Sequence, residues 1–192
     1  MSKNADRKHL GQIDKIVQLF IEKYLSSFDI YKKIAGLEVM PSIINGINTF
    51  QEGISRFSLV IINAILELLN DSEHKVRLTA LKSLYYIAKI LDDRIVKMFN
   101  LIFEKLINKI NDMDEVVKNA ANFFDKSLQT ILTSALNTAE GREEFDLEGF
   151  MLIVKTKLKF RNPGVREYLI KWIINLNEIM SIDLLMYLPD LL

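Results

Sequence analysis

The sequence predicts an all-α chain built from repeated pairs of helices. Three observations carry this reading. Apolar residues recur at helical spacing along nearly the whole chain. Helix-interrupting residues are scarce, with Gly 7 and Pro 3 in 192 residues. One turn pattern returns at offsets of 41 and then 48 residues, from Val76 to Val117 to Val165.

The first observation is illustrated by Ile13, Ile16, Val17, Phe20, Ile21 and Tyr24. Their steps alternate three and one, which places them on one helical face and excludes a strand. No segment shows the sustained alternation of a half-buried strand. The helices read as 10–26, 30–48, 54–69, 72–91, 94–110, 113–136, 146–158 and 163–179, with a further one opening at Ile182. Pro41 falls inside the second and is expected to kink it by removing a backbone donor. Asn162 followed by Pro163 is a clear start signal, a capping amide before a residue suited to the first helical position.

Composition bounds what such a chain does. Apolar residues make up 49% and charged residues 26%, the balance of an ordinary globular domain. Lys plus Arg is 25 and Asp plus Glu is 25. Nucleic-acid binding is therefore not expected, because such domains carry a basic excess. With no cysteine, disulfides, thiolate metal sites and a cysteine nucleophile are excluded. Lys3, Arg7 and Lys8 precede Leu10 without an apolar run, so the N-terminal segment does not read as a secretory signal. The longest apolar stretch, Leu59 to Leu69, is broken by Asn63 and Glu67 and is far shorter than the ~20 residues of a membrane span.

The recurring turn defines the architecture. It reads Asn70-Asp71-Ser72-Glu73-His74-Lys75-Val76-Arg77, then Asn111-Asp112-Met113-Asp114-Glu115-Val116-Val117-Lys118, then Arg161-Asn162-Pro163-Gly164-Val165-Arg166. A weaker copy lies at Asp29 to Ala35. Periods of about 40–47 residues with two helices per unit are the mark of HEAT and armadillo solenoids. The expected fold is an α-solenoid of about four helical pairs in a single domain, 1–192. Its repeats are 10–48, 54–91, 94–136 and 146–179, with 182–192 beginning another helix. Asp71 and Asp112 are placed to cap helix starts. Arg77, Lys118 and Arg166 are spaced to reach a turn carboxylate in their own or an adjacent repeat, forming a structural ladder. Val76, Val117 and Val165 are expected to point inward, and Ala80 and Ala121 to allow close helix crossing.

A family resemblance tightens from Phe57 onward. It rests on Leu68-Leu69-Asn70-Asp71, Val76-Arg77, Ala80, Leu84-Tyr85 and Ile87, then Phe99 to Leu106, Phe145-Asp146-Leu147, Arg166, Ile170, Trp172-Ile173 and Ile182 to Pro189. Lys33 to Leu37 fits the preceding repeat. Together they resemble the N-terminal HEAT region of the vacuole-morphology scaffold family, also called ArPIKfyve. The resemblance implies a non-catalytic scaffold with no cofactor. It would serve the lipid-kinase complex that makes phosphatidylinositol 3,5-bisphosphate, on the cytosolic face of endosomal and vacuolar membranes. It implies a PIKfyve-type lipid kinase as partner. A Sac-domain phosphatase belongs to the same complex, but the family region linked to binding it lies C-terminal to the matched part.

Catalytic motifs are missing. There is no phosphate-cradling glycine loop, no GxSxG and no HExxH. His9 and His74 are the only histidines and read as solvated. Glu140, Glu143, Glu144 and Asp146 surround Gly141 and read as a solvated loop, with Asp146 near the next helix start. Lys155, Lys157, Lys159 and Arg161 spread around a helix end instead of sharing a face.

Two surfaces stand out as candidates. Lys75, Thr79, Lys82, Tyr86 and Lys89 form one helical stripe. At an offset of 89 residues the stripe reads Gly164, Tyr168, Lys171, Asn175 and Glu178. Lys75, Lys82, Tyr86, Lys89, Tyr168 and Lys171 are therefore read as a protein-binding face, since Tyr is a favoured interface anchor. The alternative is an adaptor that grips anionic membrane or nucleic acid through the same Lys/Tyr stripe. At the other end, Leu184, Leu185, Leu188, Leu191 and Leu192 crowd a short segment and are read as a C-terminal association surface, through which copies of the chain would self-associate.

Overall fold

The computed structural model describes residues 2–48 and 54–180, with side chains described from residue 11 and, after the break, from residue 56 to residue 179. It is helical throughout these residues, with no strand among them. The chain divides into two compact units between Leu91 and Asp92.

The first unit contains α1 (Ser2–Phe20), α2 (Ile30–Ile47), α3 (Ile54–Glu67) and α4 (His74–Leu91). α1 begins earlier than the polar tail suggested, and closes in a π-helical turn, Ile21–Leu25. Asp29 starts α2 by accepting hydrogen bonds from the Tyr31 and Lys32 amides, satisfying donors that have no partner within the helix. α2 runs through Pro41 as one helix. α4 packs chiefly on α2 and also on α3. Leu37, Met40 and Ile44 of α2, Ile61, Ile62 and Ile65 of α3, and Val76, Leu84 and Ile87 of α4 are buried together in this unit's core. Burying each such side chain contributes about 1.5–3 kcal/mol. Ala80 and Ala88 are fully buried on α4, small side chains on its packed face.

The second unit contains α5 (Phe99–Leu106), α6 (Glu115–Leu136), α7 (Ala139–Glu144), α8 (Leu147–Leu158) and α9 (Pro163–Met180). Asp92 holds a left-handed φ of 52°, a conformation Asp tolerates better than bulkier residues, directly after α4 ends. The expected helix 94–110 is divided. Asp92–Met98 winds as a tighter 3-10 stretch, and the α-helix proper is confined to α5. The expected acidic loop is helical: Thr138 caps α7 by accepting from the Gly141 amide. Sequence periodicity missed α7 because only six residues form it and none of them is large and apolar. The core of this unit is aromatic. Phe99 and Phe103 face Trp172 at centroid distances of 5.2 and 5.3 Å, and Phe103 lies 5.1 Å from Phe150. Val117 and Ala121 are buried as expected, whereas Val165 is half-buried.

Gly36 marks the closest approach in the first unit. A Cβ at this position would stand 2.7 Å from Tyr24 Cβ and 3.0 Å from Leu25 Cδ2. Tyr24 Cβ is the stiff root of a side chain and cannot swing away. Gly36→Ala should therefore lower the urea midpoint by an amount equivalent to about 1–3 kcal/mol, despite alanine's better helix propensity. A midpoint that rises would show that α1 and α2 separate without penalty.

Candidate functional site

The turn residues of the expected ladder bond largely to backbone. Asp71 Oδ1 accepts from the Glu73 amide at 2.9 Å, and its Oδ2 lies 2.5 Å from Lys33 Nζ on α2. Arg77 Nη1 donates to the Asp71 and Ser72 carbonyls, both at 2.9 Å. Arg166 Nε donates to the Phe160 carbonyl at 3.0 Å, and Arg142 Nε to Leu136 at 2.7 Å. Each of these arginines reaches back six residues to a carbonyl at or just past the end of the preceding helix, where intrahelical partners run out. Lys118 stands 3.5 Å from Glu115 on its own helix. Asp112 accepts from the Asp114 amide at 3.1 Å and lies 3.5 Å from Lys109 Nζ. The cap of α6 is Asp114, which accepts from the Val116 and Val117 amides. Asp71 and Asp112 lie three residues before the first residue of α4 and α6, two positions ahead of the capping residue, so each closes its turn instead.

Two aspartates sit in opposite electrostatic settings. Burial pushes the Asp71 carboxyl up, but the Lys33 ammonium, the Glu73 amide and Arg77 outweigh it and hold the carboxyl below its ordinary range. Asp125, 6% exposed on α6, is pushed up by burial. Its hydrogen bonds oppose this without reversing it. Tyr168 Oη donates to Asp125 Oδ1 at 2.5 Å, Trp172 Nε1 donates to the same oxygen at 2.9 Å, and Gln129 Nε2 donates to Oδ2 at 2.8 Å. Burial and the neighbouring Asp125 charge push the Tyr168 hydroxyl well above its ordinary range.

This network corrects the expected binding face. Tyr168 is 8% exposed and fastens α9 to α6, so it offers no surface to a partner. Lys171 is exposed but stands 2.6 Å from Glu167 on its own helix. Asp125 itself was missed by sequence reasoning. A signal existed: an acid placed beside Phe124 and Leu128 on an apolar face needs donors, and Tyr168 and Trp172 supply two from one face of α9. A cleft of about 360 Å³ opens above the network, lined among others by Asn122, Lys126 and Lys171.

The α4 half of the face is exposed. Lys75, Lys82, Tyr86 and Lys89 all reach solvent, Tyr86 at 56%. The C-terminal candidates Leu184, Leu185, Leu188, Leu191 and Leu192 lie outside the described residues. His74 is exposed, and no group of three metal-ligating side chains occurs among the described residues. Of the acidic cluster, Glu140 and Glu143 are exposed, Glu144 lies 2.8 Å from Lys97, and Asp146 caps α8. In the basic run, Lys157 lies 3.6 Å from Glu104, while Lys159 and Arg161 are exposed.

Helical pairs joined by capped turns, with arginines closing the turns, define a HEAT-like repeat protein. A family model described as the Vacuolar 14 Fab1-binding region matches residues 31–130. The chain belongs to the Vac14 family. It is 28% identical over 181 residues to the VAC14 homolog of Arabidopsis thaliana, covering 94% of this chain and 23% of the plant protein. It is 28% identical over 157 residues to the homolog of Schizosaccharomyces pombe, covering 67% and 19%. Vacuole morphology and inheritance protein 14 of Saccharomyces cerevisiae is 25% identical over 170 residues, covering 72% and 19%. The chain thus spans about a fifth of the length of these curated relatives.

The two aspartates predict opposite pH dependences. Asp71 is depressed in the folded state, so its contribution is present above the ordinary value of about 4 and is lost as pH falls through the folded value. Asp125 is raised, so the folded state holds its proton more tightly, and its contribution is lost as pH rises from about 4 through the raised value. Urea midpoints measured from about pH 3 to pH 7 test both. Asp71→Asn should cost about 1–3 kcal/mol at neutral pH, with the difference from wild type shrinking in acid. Asp125→Asn should remove a decline that wild type shows as pH rises. Identical profiles for wild type and both variants would contradict these assignments.

Proposed function

We propose that the chain is a non-catalytic scaffold that binds a Fab1-type lipid kinase, the PIKfyve kind that makes phosphatidylinositol 3,5-bisphosphate. The observation that carries this is the match of residues 31–130 to the Fab1-binding region, a span running from α2 into α6. The site chemistry supports it. Asp125 is the buried acid in the cleft; its Oδ1 is committed to Tyr168 and Trp172 of α9, and its Oδ2 to Gln129 of its own helix. Acid–base work needs a group within reach of a substrate and free to exchange its proton. Two amines on the cleft wall are engaged on their own helices, Lys118 by Glu115 and Lys171 by Glu167. The names of the relatives connect the family with the vacuole, and binding such a kinase would hold the chain on the cytosolic face of vacuolar and endosomal membranes. No helix among the described residues is long and apolar enough to cross a membrane.

The immobilised chain should retain a purified Fab1-type kinase from solution. With ATP and phosphatidylinositol 3-phosphate but no kinase, it should yield no bisphosphate. Failure to retain the kinase at micromolar concentration would remove the scaffold reading, and product formed by the chain alone would make it an enzyme.

A further inference from the structure

α4 differs from the other long helices in what it leaves in solvent. Its exposed residues are His74 in the first turn, then Lys75, Lys82, Tyr86 and Lys89. No Asp or Glu occurs between His74 and Leu91. By contrast α2 exposes Glu38, α6 exposes Glu115, and α9 exposes Glu167 and Glu178. The other cation of α4, Arg77, is half-buried and turned to the carbonyls of Asp71 and Ser72. Lys75, Lys82 and Lys89 form no ion pair among the described residues; Lys89 lies 5.9 Å from the Tyr85 ring centroid. A chain whose charges balance at 25 and 25 therefore keeps three uncompensated ammonium groups in one row.

The spacing of that row selects an occupant. Three lysines seven residues apart stand about 10.5 Å from one another along the helix axis, on a line that drifts by about 20° per heptad. A second α-helix with carboxylates every seven residues has the same rise and follows the same drift. An extended segment does not fit, because its side chains alternate faces and same-face residues recur at about 6.6 or 13 Å. Anionic membrane capture relies on clusters of about four to eight cations, and a single row of three falls short. Tyr86 stands between Lys82 and Lys89 and supplies the large, partly apolar anchor that interface centres favour.

We propose that the Lys75–Lys82–Lys89 row with Tyr86 docks an acidic amphipathic helix of a partner, its carboxylates repeating every seven residues. α4 lies inside residues 31–130, so the inference rests on the kinase-binding reading and assigns the helix to the kinase. The docked helix lays its acidic seam along α4, with an apolar residue of the same seam against the Tyr86 ring.

The test uses the full chain and the purified Fab1-type kinase, with affinity measured at low and high salt. Lys82→Glu with Lys89→Glu should weaken binding about tenfold or more and flatten its salt dependence. Tyr86→Ala should weaken it several-fold at both salt concentrations. Lys159→Glu, an exposed lysine outside residues 31–130, should leave binding unchanged, and thermal midpoints should confirm that every variant folds. If wild type binds the kinase and the double variant binds equally well, with the same salt slope, the inference fails while the scaffold reading stands. If wild type does not bind, both fail. Sedimentation with vesicles of phosphatidylserine and phosphatidylcholine in equal parts supplies the last arm. Wild-type capture that the double variant loses, with kinase binding intact, would make the row a lipid contact and overturn the proposal.

Discussion

Burial of α4 is the constraint on which the first unit depends. Val76, Ala80, Leu81, Leu84, Ile87, Ala88 and Leu91 are all essentially inaccessible, and at 3.6 residues per turn they cover an arc of about 140° of the helix. That arc is wider than the apolar stripe of about 100° that a surface helix typically turns to its core. α2 and α3 both pack on it. Solvent is left with the opposite strip. What occupies the strip is then free of packing requirements, and it is occupied by lysines and a tyrosine without an acid among them.

Much of this was legible in the sequence because helical periodicity is a local property. Seven of the expected helices correspond to α1–α4, α6, α8 and α9 within a few residues at most ends, and Asn162 followed by Pro163 marked the start of α9. The failures have physical causes. The stretch before α5 is apolar at helical spacing, yet Asp92–Met98 tightens to 3-10 winding, which periodicity does not distinguish. The Tyr168 side chain was assigned to a surface by analogy with Tyr86. The two positions share a register on their helices but not a neighbour, because Asp125 lies opposite Tyr168. The missing information was a contact across 43 residues of sequence, which no local pattern contains.

Asp71 and Asp125 show how one residue type is held in a helical repeat by different means. Asp71 has a cation and an amide, and keeps its charge readily. Asp125 has only neutral donors, which satisfy its oxygens without offsetting the loss of hydration. Such a group adds little net stability compared with a well-packed apolar residue. Its geometry, however, admits one arrangement of Tyr168 and Trp172, and so fixes the rotation of α9 against α6. The arginines that reach back to carbonyls do comparable work at the turns, where the end of one helix fixes where the next begins.

Trp172 is the single tryptophan of the chain, and it is buried in the second unit among Phe99, Phe103 and Phe150. Its indole emission reports on that unit alone, whereas far-ultraviolet circular dichroism weighs the helices of both. The molecule thus carries a built-in spectroscopic label for half of itself. When denaturant is added, the separation between the two signals measures how far the halves melt as one.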